Sequence, residues 1–113
     1  MELTVSHEAG YVLACTAGPI DDSAADLFRE YLHPLIGQRG TKLVLDLSKS
    51  NYITSSGLGQ LMSLVVHANT NSSQVVLAAP TPFLSVVFDR SKVNLFFTVA
   101  ATVGEAVQAI KLP

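Results

Sequence analysis

The run Leu43-Val44-Leu45-Asp46-Leu47 sets the tightest limit on the fold. Apolar residues stand at nearly every position, the pattern of a strand buried on both of its faces. Such a strand lies inside a sheet, with other layers covering it on each side. The segment after the run is equally definite. Ser48 to Thr54 is a polar connection with one apolar residue, Ile53, near its end. From Ser55 the apolar residues recur at helical spacing as Leu58, Leu61, Met62 and Val65. Three small hydroxyl residues, Thr54, Ser55 and Ser56, therefore stand where a loop becomes a helix. Gly57 and Gly59 keep that helix end free of bulk.

The rest of the chain alternates strands and helices around this centre. Leu3 and Val5 alternate with Thr4 and Ser6 as in an edge strand. A turn at Glu8-Ala9-Gly10 joins it to a more apolar strand, Tyr11 to Thr16, and Gly18-Pro19 stops the hairpin. A helix then opens near Asp21, Asp22 or Ser23, with Ser23 and Asp26 at capping-box spacing. Ala24, Leu27, Phe28, Tyr31, Leu32 and Leu35 form its expected apolar face. Pro34 predicts that this helix ends near His33 or is distorted in its last turn. Gln74 to Ala79 reads as a strand. Thr81 and Pro82 start a helix with Phe83, Leu84, Val87 and Phe88 as its buried stripe. Leu95 to Val99 reads as the last strand, and Thr102 to Glu105 caps a short final helix. The expected fold is α/β: a mixed, mostly parallel β-sheet with an antiparallel edge strand and about four packed α-helices, one domain over residues 1–113.

Hydrophobic residues make up 49 % of the 113-residue chain and charged residues only 14 %. Central strands buried on both faces account for this; an apolar patch kept for a partner is compatible with it. The net charge is −2, with no basic block or basic–aromatic interleaving, so no nucleic-acid partner is expected. The start lacks a positive region followed by an apolar core, and no apolar run reaches the roughly 18 residues of a membrane span. The expected location is cytoplasmic, without membrane insertion. Cys15 has no internal disulfide partner and reads as a small core residue.

The residues point away from catalysis. His7, His33 and His67 are not spaced with Cys, Asp or Glu as a metal site needs, so no metal is expected. No glycine-rich phosphate loop is present and no cofactor is expected. The flanks of Ser55 and Ser56 do not form G-x-S-x-G, so no catalytic residue is assigned. The hydroxyl cluster has two readings. A single Ser or Thr at a helix start is explained by capping, worth ~1 kcal/mol. Three in a row, with Gly-Leu-Gly after them, fit a modification site: a phosphate at a helix N-terminus is welcomed by backbone N–H groups and the dipole.

The segment Asp46-Leu47-Ser48, with Ile53-Thr54-Ser55-Ser56-Gly57-Leu58-Gly59 after it, resembles the signature of the STAS domain of bacterial anti-sigma factor antagonists. Gly18-Pro19-Ile20-Asp21 with Ala24, Ala25 and Leu27 is similar to the family's segment ahead of its first helix. Pro80 and Pro82 with Val87-Phe88, and Leu95-Phe96, are similar to its third helix and last strand. The resemblance implies a non-enzymatic regulator of transcription that binds an anti-sigma factor. That partner is a serine kinase of histidine-kinase-like fold, which phosphorylates the first serine of the motif and so ends the interaction; a serine phosphatase restores it. By position that serine is Ser55, with Thr54 a secondary candidate, and Asp21, Thr54, Ser55, Ser56, Gly57, Leu58 and Gly59 form the implied partner surface. Two positions depart from the pattern: Thr54 stands where the family commonly has Asp, and Lys92-Val93 where it often has Gly-Leu. The alternative implied by the same resemblance is a constitutive accessory subunit of a lipid-transport ABC complex, with no phospho-switch.

Overall fold

A computed structural model of the chain describes residues 1–111. Five strands form one sheet in sequential order: β1 (Glu2–Glu8), β2 (Tyr11–Ala17), β3 (Lys42–Lys49), β4 (Gln74–Ala78) and β5 (Thr98–Ala100). β1 and β2 pair antiparallel through the turn at Gly10, and every later pair is parallel. Four helices connect or succeed the strands: α1 (residues 24–36), α2 (Ser55–Thr70), α3 (Pro82–Ser91) and α4 (Val103–Lys111).

This order dictates which face each helix occupies. Parallel crossovers share one hand. Three successive crossovers stepping in the same direction across the sheet must therefore leave their helices on the same face. The packing agrees: Phe28, Leu32 and Ile36 of α1, Leu61 and Leu64 of α2, and Leu84 and Phe88 of α3 share one core with Leu43, Leu45, Leu47, Val75 and Leu77. α4 comes after the last strand and is free of that constraint. It packs Ala106 and Ile110 on the opposite face, against Val44, Val76 and Ala78. β3 is thus covered on both sides, as the Leu43–Leu47 run requires.

Pro34 distorts α1 without ending it. The backbone is α-helical over Ala24–Leu27, widens to a π-helical turn over Phe28–Leu32 and returns to α over His33–Ile36. Proline has no N–H to give to the carbonyl four residues back, and its ring crowds that carbonyl, so the turn before it opens. The widened turn also resets the buried face. Ala24, Phe28, Leu32 and Ile36 recur every fourth residue and are all fully buried, whereas Tyr31, expected on the apolar face, is exposed.

Other expectations need correction. Leu95 to Phe97 is not strand. Lys92 takes a left-handed conformation at the end of α3 (φ 58°), a 3-10 turn spans Val93–Leu95, and the N–H groups of Phe96 and Phe97 both donate to the Val93 carbonyl. Val93 and Phe97 are buried as a helical pair would be, while Leu95 and Phe96 face solvent. In α3 Leu84 and Phe88 are buried and Val87 partly so, but Phe83 is exposed. The Thr81 hydroxyl donates to the Ser50 carbonyl and does not cap α3. The Ser23 side chain makes no cap bond to α1. Cys15 is half-buried on the α4 face of β2, outside the main core. Its thiol donates to Asp46, and burial, then the Asp46 charge, push its pKa up.

Candidate functional site

The start of α2 is built from two segments distant in sequence. Beyond a register irregularity between Cys15 and Ala17, the chain after β2 keeps company with the chain after β3. Gly18 N–H donates to Lys49 O (3.0 Å), Ile20 N–H to Tyr52 O (2.9 Å), and Thr54 N–H to Ile20 O (3.0 Å). Ile20 and Ile53 form an isolated parallel bridge, and both side chains are buried. Below them the Thr16 and Ser50 hydroxyls share a buried hydrogen bond of 2.6 Å. Gly18 has φ +86°, a conformation that lets the chain leave β2 at this angle.

On this seam sits the helix start. Thr54 has extended backbone, and its Oγ1 accepts the Gly57 N–H at 3.1 Å, an N-cap bond. The Thr54 hydroxyl is therefore committed and half-buried. Ser55 and Ser56 come next, in the first helical turn, and both are exposed. Among the described residues, none holds the Ser55 hydroxyl. The position where Thr replaces the family's Asp is thus the cap itself. Threonine keeps the cap bond and omits the charge.

The two glycines of the motif have different roles. Gly57 is buried, and a Cβ there would lie 1.9 Å from the Ile20 carbonyl oxygen. Only glycine allows α2 to rest on the Ile20 backbone, so this residue seats the helix and offers little surface. Gly59 is exposed with nothing within 4 Å of a built Cβ. Leu58 is half-buried and packs on the main core. Of the residues expected at a partner surface, Ser55, Ser56 and Gly59 are outward, Asp21, Thr54 and Leu58 half-buried, and Gly57 hidden.

Asp21 comes directly after the residue bonded to Thr54. Its Oδ1 accepts both the Ser23 hydroxyl and the Ser23 N–H, and these bonds hold its carboxyl below the usual range. The carboxylate is thus fixed in place and ionised beside the helix end. Sequence reasoning missed a second feature here. Tyr52, in the β3–α2 connection, and Phe83, in the first turn of α3, are about half exposed, with ring centroids 5.0 Å apart. The Thr81–Ser50 bond ties the two elements that carry them. An aromatic residue inside an otherwise polar loop was the available signal.

The arrangement offers an exposed hydroxyl on a helix N-terminus, a fixed carboxylate and an aromatic pair. The histidines lie elsewhere: His7 in β1, His33 in α1 and His67 in the last turns of α2. Among the described residues no group of three or more His, Cys, Asp or Glu side chains is placed to hold a metal ion, and no helix is long and apolar enough to cross a membrane.

Comparison with known proteins agrees with this geometry. The family model of the STAS domain matches residues 3–106. BtrV of Bordetella bronchiseptica, whose name describes it as a putative anti-sigma factor antagonist, is 27 % identical over 111 residues, 98 % of this chain and 96 % of that protein. The unphosphorylated anti-sigma factor antagonist SpoIIAA superposes with a TM-score of 0.79 at 19 % identity, covering 97 % of this chain and 96 % of SpoIIAA. Its phosphorylated form, from Bacillus, gives 0.73 at 19 % identity over 96 % and 99 %. A Thermotoga maritima structure described as a putative anti-sigma factor antagonist gives 0.85 at 16 % identity over 97 % and 95 %.

Proposed function

The chain belongs to the STAS domain family, and from that premise we propose that it is an anti-sigma factor antagonist whose binding is switched by phosphorylation of Ser55. In this reading the unphosphorylated chain docks on an anti-sigma factor that is also a serine kinase. Phosphorylation releases it, and a serine phosphatase resets it. The chain acts in the cytoplasm by occupying its partner and performs no catalysis of its own.

One observation carries the proposal: Ser55, the position the family motif singles out, stands exposed and unengaged at the first position of α2, as Ser56 does next to it, while Thr54 is consumed by the cap. A kinase reaching this turn finds the Thr54 hydroxyl engaged and the serines free, and the motif position assigns Ser55 as the acceptor. The phosphate adds about −1.5 to −2 charges at neutral pH. Backbone N–H groups and the dipole of α2 favour that charge by ~0.3–2 kcal/mol, so the fold tolerates the modification. A partner seated over the same turn does not. It faces a bulky dianion next to Asp21, which is already ionised. A loss of ~3 kcal/mol in the contact weakens binding about a hundredfold.

Mass spectrometry of the protein from its native cells tests the modification directly, with phosphate expected on Ser55 and not on Thr54. Ser55→Ala should bind the cognate anti-sigma kinase persistently, and Ser55→Glu weakly. Equal binding by both variants and wild type, with Ser55 unmodified in cells, would sink the switch.

A further inference from the structure

The opposite end of α2 carries a second polar contact. His33 of α1 and His67 of α2 approach with Nδ1 to Nδ1 at 2.7 Å. Their ring centroids are 4.9 Å apart and the planes differ by 24°. The nitrogens are closer than the centroids by nearly two ring radii, so both Nδ1 atoms lie between the rings. The imidazoles therefore meet edge to edge, with the two Nδ1 atoms aimed at each other. A bond of that kind needs one Nδ1–H as donor and one bare Nδ1 as acceptor.

We propose that His33 and His67 form a proton-gated clasp between the C-terminal halves of α1 and α2, closed while at most one of the two imidazoles is charged and open when both are.

The two ring nitrogens set the proton count. With both rings neutral, one Nδ1–H donates to the other Nδ1. The first added proton goes to the Nε2 of the donor ring. The donor becomes an imidazolium, and the bond gains charge assistance. The second proton has only the acceptor's Nδ1 left to occupy. Two N–H groups and two positive charges then face each other, and the contact breaks. Both rings lie near helix C-termini, where a single positive charge is favoured.

Apart from the two helix ends, no carboxylate among the described residues bears on the pair to offset the second charge. Among the described residues, the charge that bears on His33 is that of His67. Just beyond α1, Gly37 is uncharged; its N–H donates to the His33 carbonyl, and a Cβ there would meet the His67 ring only in ordinary contact at 3.6 Å. On α2, Asn71 is neutral and donates to the His67 carbonyl. Burial first, and then the neighbouring His67, hold the His33 imidazole below its ordinary pKa. A depressed folded pKa means that the clasp is fully in force above the ordinary imidazole value of ~6.5. It is lost as pH falls through the lower folded value. The turn it holds is weak on its own account, because Pro34 supplies no N–H and the π-helical turn precedes it.

Imidazole nitrogen NMR on the uniformly labelled full chain, titrated through the range around pH ~6.5, reads the clasp directly. His33 and His67 should titrate in two steps separated by at least about tenfold in proton affinity. Amide exchange in residues 33–36 and 67–71 should accelerate below the second step. In His67→Gln the remaining His33 should titrate in one step, at higher pH than in the wild type, because the neighbouring charge is gone. Coincident, independent curves for His33 and His67 in the wild type would overturn the clasp, and that result needs no variant to fold. An unchanged His33 curve in a folded His67→Gln would overturn it as well.

Discussion

Gly57→Ala is the sharpest probe of how α2 is seated, because Gly59→Ala supplies its control. The added methyl at Gly57 would stand 1.9 Å from Ile20 O and 2.6 Å from Ile20 C. Backbone cannot rotate out of the way as a side chain can, so the first turn of α2 must lift from the 18–21 segment. That lift strains or breaks the Thr54 N–H to Ile20 O bond, worth ~1 kcal/mol. It also disturbs the packing of Ile20, which is completely buried. Overpacking of this kind costs ~1–3 kcal/mol. Alanine's better helix propensity returns ~0.5–1 kcal/mol. The net loss is about 1–3.5 kcal/mol. At Gly59 the methyl meets open space, and only the propensity gain of ~0.5–1 kcal/mol remains. Both variants change the unfolded chain alike, so their difference reports the folded state. Urea denaturation should separate the two by about 3 kcal/mol, or ~2 M in midpoint for a small-protein slope of ~1.5 kcal/mol per M. If Gly57→Ala unfolds at the same urea concentration as Gly59→Ala, α2 does not rest on the Ile20 backbone, and the presentation of Ser55 derived from that contact is wrong.

Two further perturbations test the same region. Thr54→Ala should cost ~1 kcal/mol through loss of the cap, and Thr54→Asp should restore it, since aspartate caps equally well and adds a favourable charge at the dipole; urea midpoints decide, and a Thr54→Asp protein no more stable than Thr54→Ala would refute the capping role. Thr16→Val strands the buried Ser50 hydroxyl and should cost ~1–3 kcal/mol, part of it recovered in Thr16→Val/Ser50→Ala; thermal unfolding of single and double variants checks this, and an unaffected single variant would count against the bond.

The central architecture was legible because the signals for it are local and agree with one another. The Leu43–Leu47 run requires cover on both faces, and the alternation of strands and helices requires parallel crossovers. Propensity misled where a long-range contact won. Leu95-Phe96-Phe97 is apolar and aromatic enough for a strand, yet burying Val93 and Phe97 together demands a turn. Tyr31 failed because Pro34 widens the helix before it, an effect that alters phase and leaves no periodicity to read. At the site, the hydroxyls and glycines were visible, but their division of labour was not. Whether a glycine is open like Gly59 or pressed on a carbonyl like Gly57 depends on a segment that joins it only in the folded chain. For the same reason Phe83 gave no hint of Tyr52.

The seam between Gly18–Asp21 and Lys49–Thr54 has a consequence for timing. Thr16 and Ser50, at its base, are 34 residues apart in sequence, and loops of that length close late compared with local helix formation. A peptide containing Thr54, Ser55 and Ser56 carries the hydroxyls but lacks Ile20 to seat the helix and Asp21 to flank it. A partner or modifying enzyme that touches both sides of the seam therefore reads the chain's completeness together with its chemistry. Nascent, nicked or partly unfolded copies present the same serine without that setting. Under the proposed switch, regulation and folding inspection share one surface.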